Sequence, residues 1–457
     1  MSTLVQTLAS YVPELITRRL AANPEPINEP VVEQFSGAIL FADISGFTAL
    51  AEQLTLRGPA GAEELSQLLN AYFGQLIDLV GIHGGDIVKF AGDGLLAMWP
   101  TEVRGEDLAT VTYRAAQCGL LVQAMLHDQQ VADDVRLSLR VGVGAGSMIT
   151  AHVGGVHGRW ELLLIGDAIV QASLAQSNAR PGQVVLTPEV WALVGDRCDA
   201  EERPDGYVHL RDVQQPLPFK MASAPDLADD SEQALRAYLP GVILSRVVAG
   251  QSDWLAELRR VTVLFVNLPD LNEPARAAQA QATIRALQSV LYHYEGSINK
   301  ISVDEKGVML IAALGLPPLA HEDDVARGVE AAMAMAEHLA AQGMRCAIGI
   351  TTGRAFCGSV GSSTRREYTM IGDVVNLAAR LMQAAGEHGH TILCDAATYD
   401  GVRTQTRLEF DLLPPMAIKG KRRPVLAYRP IAGAPGSSMN NYSRRLRQAS
   451  KVEMVGR

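Results

Sequence analysis

The pattern of apolar and polar positions runs through one series of elements and then runs through it again. At the start, Leu4, Leu8, Val12, Leu15, Ile16 and Leu20 recur at roughly helical spacing, and Asn23-Pro24-Glu25-Pro26 ends the run. Pro13 inside that stretch predicts a kink or a break, because it has no N–H to donate and its ring clashes with the preceding turn. The expectation is a docking helix packed on the first domain. Ala38–Ala42 is a short apolar run suited to a buried strand, followed by a helix beginning near Ser45 or Gly46. Helical periodicity returns over Leu65–Val80. Gly84-Gly85 then turns the chain into two strands, Asp86–Phe90 and Leu95–Trp99, with Ala91–Gly94 at the tip between them. Leu137–Ala145 and Leu162–Ile165 read as further strands, the second leading into a helix through Ala179.

The same order recurs downstream. Val261–Val266 is a strand, a helix runs to Tyr294, and a turn at Glu295-Gly296 precedes strands Ile298–Val303 and Val308–Ala313. A helix over Asp323–Ala340, strands Cys346–Thr351 and Tyr368–Ile371, and a helix over Val374–Ala385 complete it. A period of roughly 200 residues signifies a duplicated domain rather than a solenoid. The predicted organisation is a lead-in over 1–33, a first domain over 34–222, a connection over 223–255, a second domain over 256–431 and a tail over 432–457. The connection carries the acidic stretch Asp226–Glu232. The tail is Gly-, Ser- and Asn-rich before Arg444-Arg445-Leu446-Arg447, and is expected to have little order.

Composition narrows the classes. The chain has 457 residues, 48% of them hydrophobic and 20% charged, which is globular and too long for one ordinary core. A net charge of −10 argues against a nucleic-acid partner. Five scattered cysteines without metal-ligand spacing read as core thiols of a reducing compartment. No apolar run approaches the roughly 20 residues of a membrane helix, so membrane insertion is not expected. With no charged-then-apolar leader, the expectation is a cytoplasmic, soluble protein.

The two copies differ in complementary ways. The first has Asp43 after a predicted strand and Asp93 at a hairpin tip, four residues beyond Lys89. Taken singly, each aspartate also suits an N-cap or a turn. Together, two carboxylates near a helix N-terminus form the oxygen ligand set that magnesium prefers, and helix N–H groups near Ser45, Gly46 and Phe47 suit phosphate. Two ions on such a pair suit a phosphoryl-type displacement. In the second copy Asn267 stands in place of Asp43. That copy instead has Asn376 and Arg380, four apart in a helical segment and so on one face, among small apolar residues. An arginine on a helix is commonly a solvated surface group. Beside an amide, its guanidinium fork is also able to hold a ribose and the charge that builds on phosphorus. The matching first-copy stretch, Leu163–Leu174, has neither residue.

These residues carry a resemblance. Both halves resemble class III nucleotidyl cyclase domains, and the tandem is similar to the catalytic region of soluble adenylyl cyclases, over roughly residues 5–430. It rests on Phe41–Phe47, Gly84–Asp93, Glu295–Asp304 and Arg366–Arg380, with support at Met416–Arg429. The resemblance implies an α+β architecture of two ferredoxin-like domains forming a pseudo-heterodimer within one chain, with the active site at their interface. It implies two divalent cations, Mg2+ with Mn2+ accepted, on Asp43, Asp93 and the Ile44 backbone carbonyl. By the same resemblance Asn376 orients the ribose and Arg380 stabilises the pentavalent phosphate, while Lys300 and Thr369 read the base. A lysine donating to N1 and a threonine accepting from N6 fit adenine, where guanine offers the reverse pattern. Ser45, Gly46, Phe47, Thr48 and Met370 are implied as substrate contacts, and Lys89 and Arg140 as cations near the triphosphate. Lys419 or Lys421 is another such cation or else part of a solvated basic turn.

The implied activity is that of an adenylyl cyclase acting on ATP. Its competitors are a guanylyl cyclase, disfavoured by Lys300 and Thr369, and a catalytically silent nucleotide-sensing module. The vestigial second site falls around Asn267, Asp304 and Ser173. Ser173 stands where bicarbonate-responsive relatives carry an arginine, so the anion clamp is missing and bicarbonate activation is doubtful. The ending Met454-Val455-Gly456-Arg457 resembles the opening of a P-loop ATPase region, which suggests a catalytic piece of a longer protein.

Overall fold

The structure, a computed structural model, describes residues 3–431 apart from 56, 92–93, 133–134, 222–224, 251–255, 272–276, 404–407, 420 and 422. The predicted tail therefore lies outside the described residues. Each domain is built on one mixed sheet. In the first, the strands are β1 (Val31–Ser45), β2 (Asp86–Ala91), β3 (Gly94–Pro100), β4 (Gln129–Ala132), β5 (Val135–Val156), β6 (Arg159–Gly166), β7 (Val184–Leu186), β8 (Cys198–Glu202) and β9 (Val208–Val213). In the second they are β10 (Glu257–Leu268), β11 (Ser297–Asp304), β12 (Gly307–Leu314), β13 (Ala347–Gly361), β14 (Arg366–Ile371), β15 (Ile392–Asp395), β16 (Glu409–Leu412) and β17 (Ala427–Ile431).

The duplication is visible in the strand orders. The first sheet runs β2-β3-β1-β5-β7-β9-β8 and the second β11-β12-β10-β13-β15-β17-β16, the same path through corresponding strands. Even the irregularities repeat: the β2–β3 register shifts between Ile87 and Lys89, and the β11–β12 register between Ile298 and Lys300. Such a bulge inserts a residue and re-aims the side chain beside it.

The predicted strands are present, but the central ones are much longer than their apolar runs. β1 has 15 residues, β5 has 22 and β13 has 15. Their outer parts, such as Gly146-Ser147 in β5 and Gly358-Ser359 in β13, are small or polar and give no clean alternation. β5 and β13 stay extended because each, with its following hairpin partner, reaches across to the other domain, and the outer part of β1 pairs along β5. Ala151, Val153, Leu163 and Ile165 are buried in the second domain's core, while Phe356, Val360 and Ile371 are buried in the first domain's core. At each crossing a long helix supplies polar clamps. Gly154 N–H donates to Gln281 Oε1 (2.7 Å) from the helix Ala277–His293, and Gly361 N–H donates to Asn70 Oδ1 (3.0 Å) on the helix Pro59–Ile82. Backbone groups beyond each sheet are thereby satisfied only when the two halves are docked.

The N-terminal stretch forms two helices, Leu4–Ala9 and Glu14–Ala22, and Pro13 caps the second rather than bending a single one. Its packing is wider than docking on the first domain, where Leu15 packs beside Ile39 and Val88 and Glu14 pairs with Arg104. Val5, Leu8, Val12 and Ile16 are buried against Leu235, Tyr238 and Ile243 of the connecting segment and against the second domain's core. Arg366 N–H donates to Ser10 O (2.7 Å), while Glu14 N–H donates to Asp86 Oδ2 (2.7 Å) in the first domain. The lead-in therefore straps the seam between the halves. The connection is itself helical over Glu232–Arg236 and Gly241–Val248. The five cysteines are unpaired, four of them buried and Cys346 half-buried. No described helix is long and apolar enough to cross a membrane.

Candidate active site

The helix Asp373–Glu387 carries Asn376 and Arg380 one turn apart, both half-buried. Two glycines place it. Gly372 caps its start at φ +148°, a conformation side chains rarely adopt, so the chain turns sharply out of β14. Gly349 on β13 lies beneath it, where a Cβ would meet the Ala378 carbonyl oxygen at 2.0 Å. Only glycine lets this helix lie so close to the sheet.

Beside that helix the seam holds a buried polar cluster. Lys300 is 4% exposed and Thr369 is 2% exposed. Lys300 Nζ donates to Thr369 Oγ1 (3.0 Å) and, across the domain boundary, to the Phe90 carbonyl (2.7 Å). It also pairs with Glu367 at 3.2 Å. Glu367 lies two residues before Thr369 on β14 and so on the same face. It accepts from the Phe90 N–H (3.3 Å). Burial alone would raise its carboxyl, but Lys300, Arg365 and Lys89 hold it below the usual carboxylate range. Arg365 donates across the seam to the Ile87 carbonyl (2.8 Å) and the Val88 carbonyl (3.0 Å). The residue-by-residue reading missed Glu367 and Arg365. The signal available was an i, i+2, i+4 row of polar groups, Arg365, Glu367 and Thr369, in a strand otherwise buried. Met370 is different: its side chain is in the apolar core, leaving only its backbone for a ligand.

In the first domain, Asp43 lies within β1, paired with Gly94 of β3 and Arg140 of β5. It is not a helix cap, since the next helix is Phe47–Thr55. Asp93 lies outside the described residues, immediately before Gly94 in sequence. Arg140 forms an ion pair with the Asp43 carboxylate, with side chains 32% and 24% exposed. Ile44 follows in the same strand, buried and paired with Leu139. Ser45 is half-buried, Gly46 is exposed with φ +97°, and Phe47 is buried against Phe73, so only its backbone faces a ligand. The side chain of Thr48 lies outside the described residues. Among the described residues no three His, Cys, Asp or Glu side chains gather as a metal cage. The donor set here is one partly exposed carboxylate and backbone oxygens, which suits a hard cation that keeps water and substrate oxygens as ligands rather than a protein-enclosed metal.

The expected triphosphate cations separate. Arg140 is at the Asp43 end. Lys89 is not: its Nζ donates to the Ile301 carbonyl, and it lines a small cavity with Phe41, Leu96, Leu164, Ile169, Ser173 and Val303. The bulge that re-aims Lys300 in β11 acts on Lys89 in β2 in the same way, so Lys89 occupies the position that mirrors Lys300. Lys421 pairs with Asp373 in the first turn of the Asn376 helix, whereas Lys419 is exposed.

The vestigial site has its own chemistry. Asn267 Nδ2 donates to the Lys306 carbonyl (3.0 Å), and Ser173 Oγ donates to Glu305. Burial, with Glu305 beside it, pushes the Asp304 carboxyl up to about 6. Where an anion clamp was sought, a serine faces a carboxylate.

Two sheets of one topology, exchanged hairpins and a polar cleft at the seam describe a tandem nucleotide cyclase core. The chain belongs to the family of adenylate and guanylate cyclase catalytic domains, whose signature matches residues 32–217 and 255–429. Among curated proteins it is similar to adenylate cyclase type 10 of Rattus norvegicus, with 31% identity over 92% of this chain, and of Homo sapiens, with 30% identity over 90%. It spans only 28% and 27% of the length of those two relatives. A solved class III adenylyl cyclase-like ATP-binding protein from Pseudomonas aeruginosa shares the fold, with TM-score 0.54 at 14% identity, over 85% of this chain and 92% of that one.

Proposed function

We propose that this chain is an adenylyl cyclase converting ATP to 3′,5′-cyclic AMP and pyrophosphate, with 34–222 and 256–431 as its two catalytic halves joined by 223–255. The observation that carries the reading is the buried Lys300–Thr369 pair (3.0 Å) at the domain seam, beside the helix bearing Asn376 and Arg380. A lysine that can only donate next to a hydroxyl that can accept matches the adenine edge, and a buried mismatch with guanine leaves polar groups unpaired.

In the reaction the 3′-oxygen forms a bond to the α-phosphorus, the bond from that phosphorus to the in-line bridge oxygen breaks to release pyrophosphate, and the hydroxyl proton passes to solvent water. Asn376 orients the ribose, and Arg380 donates to the phosphoryl oxygens as charge accumulates. Backbone N–H groups at the start of the helix Phe47–Thr55 face the phosphates, with Ser45, Gly46 and Thr48 alongside. Asp43 and Asp93, with the Ile44 carbonyl, would hold two divalent cations, Mg2+ or Mn2+, which when bound supply Lewis acidity to the attacking and leaving oxygens. Arg140, paired with Asp43, is a further cation for the triphosphate. Lys421, held by Asp373, or else Lys419 is one more phosphate cation. The five unpaired cysteines suit a reducing, cytoplasmic setting. Ser173 facing Glu305 supports a site without a bicarbonate clamp.

The test is incubation with Mg-ATP, Mn-ATP and the corresponding GTP complexes, counting cyclic AMP against cyclic GMP. Cyclic AMP in excess supports the reading. Cyclic GMP in excess makes the chain a guanylyl cyclase, and neither product makes it a silent nucleotide-sensing module.

A further inference from the structure

The two mirrored lysines hold each other's strands. Lys300 Nζ donates to the carbonyl of Phe90, the residue after Lys89, and Lys89 Nζ donates to the carbonyl of Ile301, the residue after Lys300. Each lysine thus crosses the domain seam to grip the backbone beside its counterpart. Behind them the same two-fold relation continues in the pairs Arg159 with Glu161 and Arg365 with Glu367. The symmetry breaks at one point. Lys300 has an ion-pair partner in Glu367 at 3.2 Å, and Thr369 beside it. At the place of Thr369 the first half has the apolar Leu163, and Glu161 is taken by Arg159 at 3.0 Å. Burial holds the Lys89 ammonium below its ordinary value. A buried charge is costly unless hydrogen bonds or an ion pair compensate it, and the Ile301 carbonyl supplies such a contact to Lys89.

We propose that Lys89 is a positioning residue for base recognition: by clamping the Ile301 carbonyl from the other domain, it fixes the bulged strand on which Lys300 is mounted. In this role Lys89 acts through the Ile301 carbonyl rather than on the nucleotide itself. Its hydrogen bond closes a four-membered circuit, Lys89 to Ile301, Ile301 to Lys300 along the chain, Lys300 to Phe90, and Phe90 back to Lys89 along the chain. Without it, Lys300 keeps Glu367 and Thr369 but loses the fixed distance between its strand and the first domain. The cavity that Lys89 lines, with Phe41, Ile169 and Ser173, then bears directly on base reading, since anything entering it meets this clamp.

The inference rests on Lys300 reading adenine, and the experiment separates the two. Lys89→Met, Lys89→Arg, Lys300→Ala and the parent chain are assayed with Mg-ATP and Mg-GTP, with kcat and KM resolved. Loss of one charged hydrogen bond should raise the ATP KM of Lys89→Met by roughly tenfold and lower its ATP-over-GTP preference by a similar factor, with a smaller change in kcat. Lys89→Arg, which retains a donor to the Ile301 carbonyl, should recover most of the preference. If Lys300→Ala erases the preference while Lys89→Met leaves it at the parent value, the clamp is wrong and the base reading stands. A fall in kcat alone in Lys89→Met overturns the clamp in favour of a phosphate role. An unchanged preference in Lys300→Ala overturns the base reading itself. Should Lys89→Met melt below the assay temperature, Lys89→Arg decides: folded with the preference lost, it rejects the clamp.

Discussion

At the scale of single residues, the chemistry divides between groups that are already engaged and groups poised to engage. Asp43 is engaged by Arg140, so its charge is already compensated by a positive partner. Replacing Asp43 with Ala should abolish metal-dependent turnover while leaving the melting temperature near the parent value, because the residue caps no helix and lies in a partly open cleft. A large loss in melting temperature would return it to a structural role. Arg380 is the complementary case, a half-buried guanidinium on a fixed helix. Arg380→Ala should lower kcat by roughly a hundredfold or more with little change in KM, the pattern of a donor used only as charge develops. Parent-like turnover in that variant would remove Arg380 from the mechanism. Both residues were legible in the sequence, because a carboxylate at a strand end and an Asn–Arg pair at helical spacing are local patterns. Glu367 was not, because its meaning comes from Lys300 and Phe90, which only folding brings to it.

At the scale of elements, the order of strands and helices was readable in both halves, but the ends of the long strands were not. Apolar runs mark where a strand crosses its own core. They end where β1, β5 and β13 leave it, and the extension beyond is decided by the partner domain for β5 and β13 and by pairing along β5 for β1. The bulges at Lys89 and Lys300 were equally hidden, since a single inserted residue leaves no hydrophobic signature, and one of them moves Lys89 from the expected triphosphate to the mirrored site. Helix placement depends on a close contact of the same kind. Gly349→Ala would set a Cβ 2.0 Å from the Ala378 carbonyl oxygen, so the Asn376–Arg380 helix must move off the sheet. A cost of about 1–3 kcal/mol is expected by chemical denaturation, together with a fall in kcat. Retained stability and turnover together would mean that the helix does not need this close packing to present its donors.

At the scale of the molecule, the lead-in segment joins the halves through a cluster whose charge state depends on pH. Burial, with Glu14 nearby, pushes the Asp86 carboxyl up to about 7, against the opposing effect of Arg365 and Arg104. The folded protein therefore keeps a proton that the unfolded chain releases near pH 4, so this group's contribution to stability is greatest in acid. It is lost as pH rises through about 7 and changes little above that. Asp86→Asn removes the titration. The stability of the parent relative to this variant, read from urea unfolding at several pH values, should fall from pH 5 to 7 and then level. Parallel pH profiles for the two proteins would show that Asp86 does not titrate in that window.

What the sequence determined by itself is the duplication, the family and the complementary loss of Asp43's counterpart in one half and of Asn376 and Arg380's counterparts in the other, since each is written in local pattern and residue type. What only the tertiary structure decided is where those residues meet. The hairpins exchanged between domains carry Thr369 and Glu367 to Lys300, strap the lead-in across the seam, and set Lys89 opposite Lys300 rather than beside Asp43. The contacts of Lys300 with Phe90 and of Lys89 with Ile301 join residues 210 and 212 positions apart through backbone carbonyls, which every residue possesses and no sequence pattern marks.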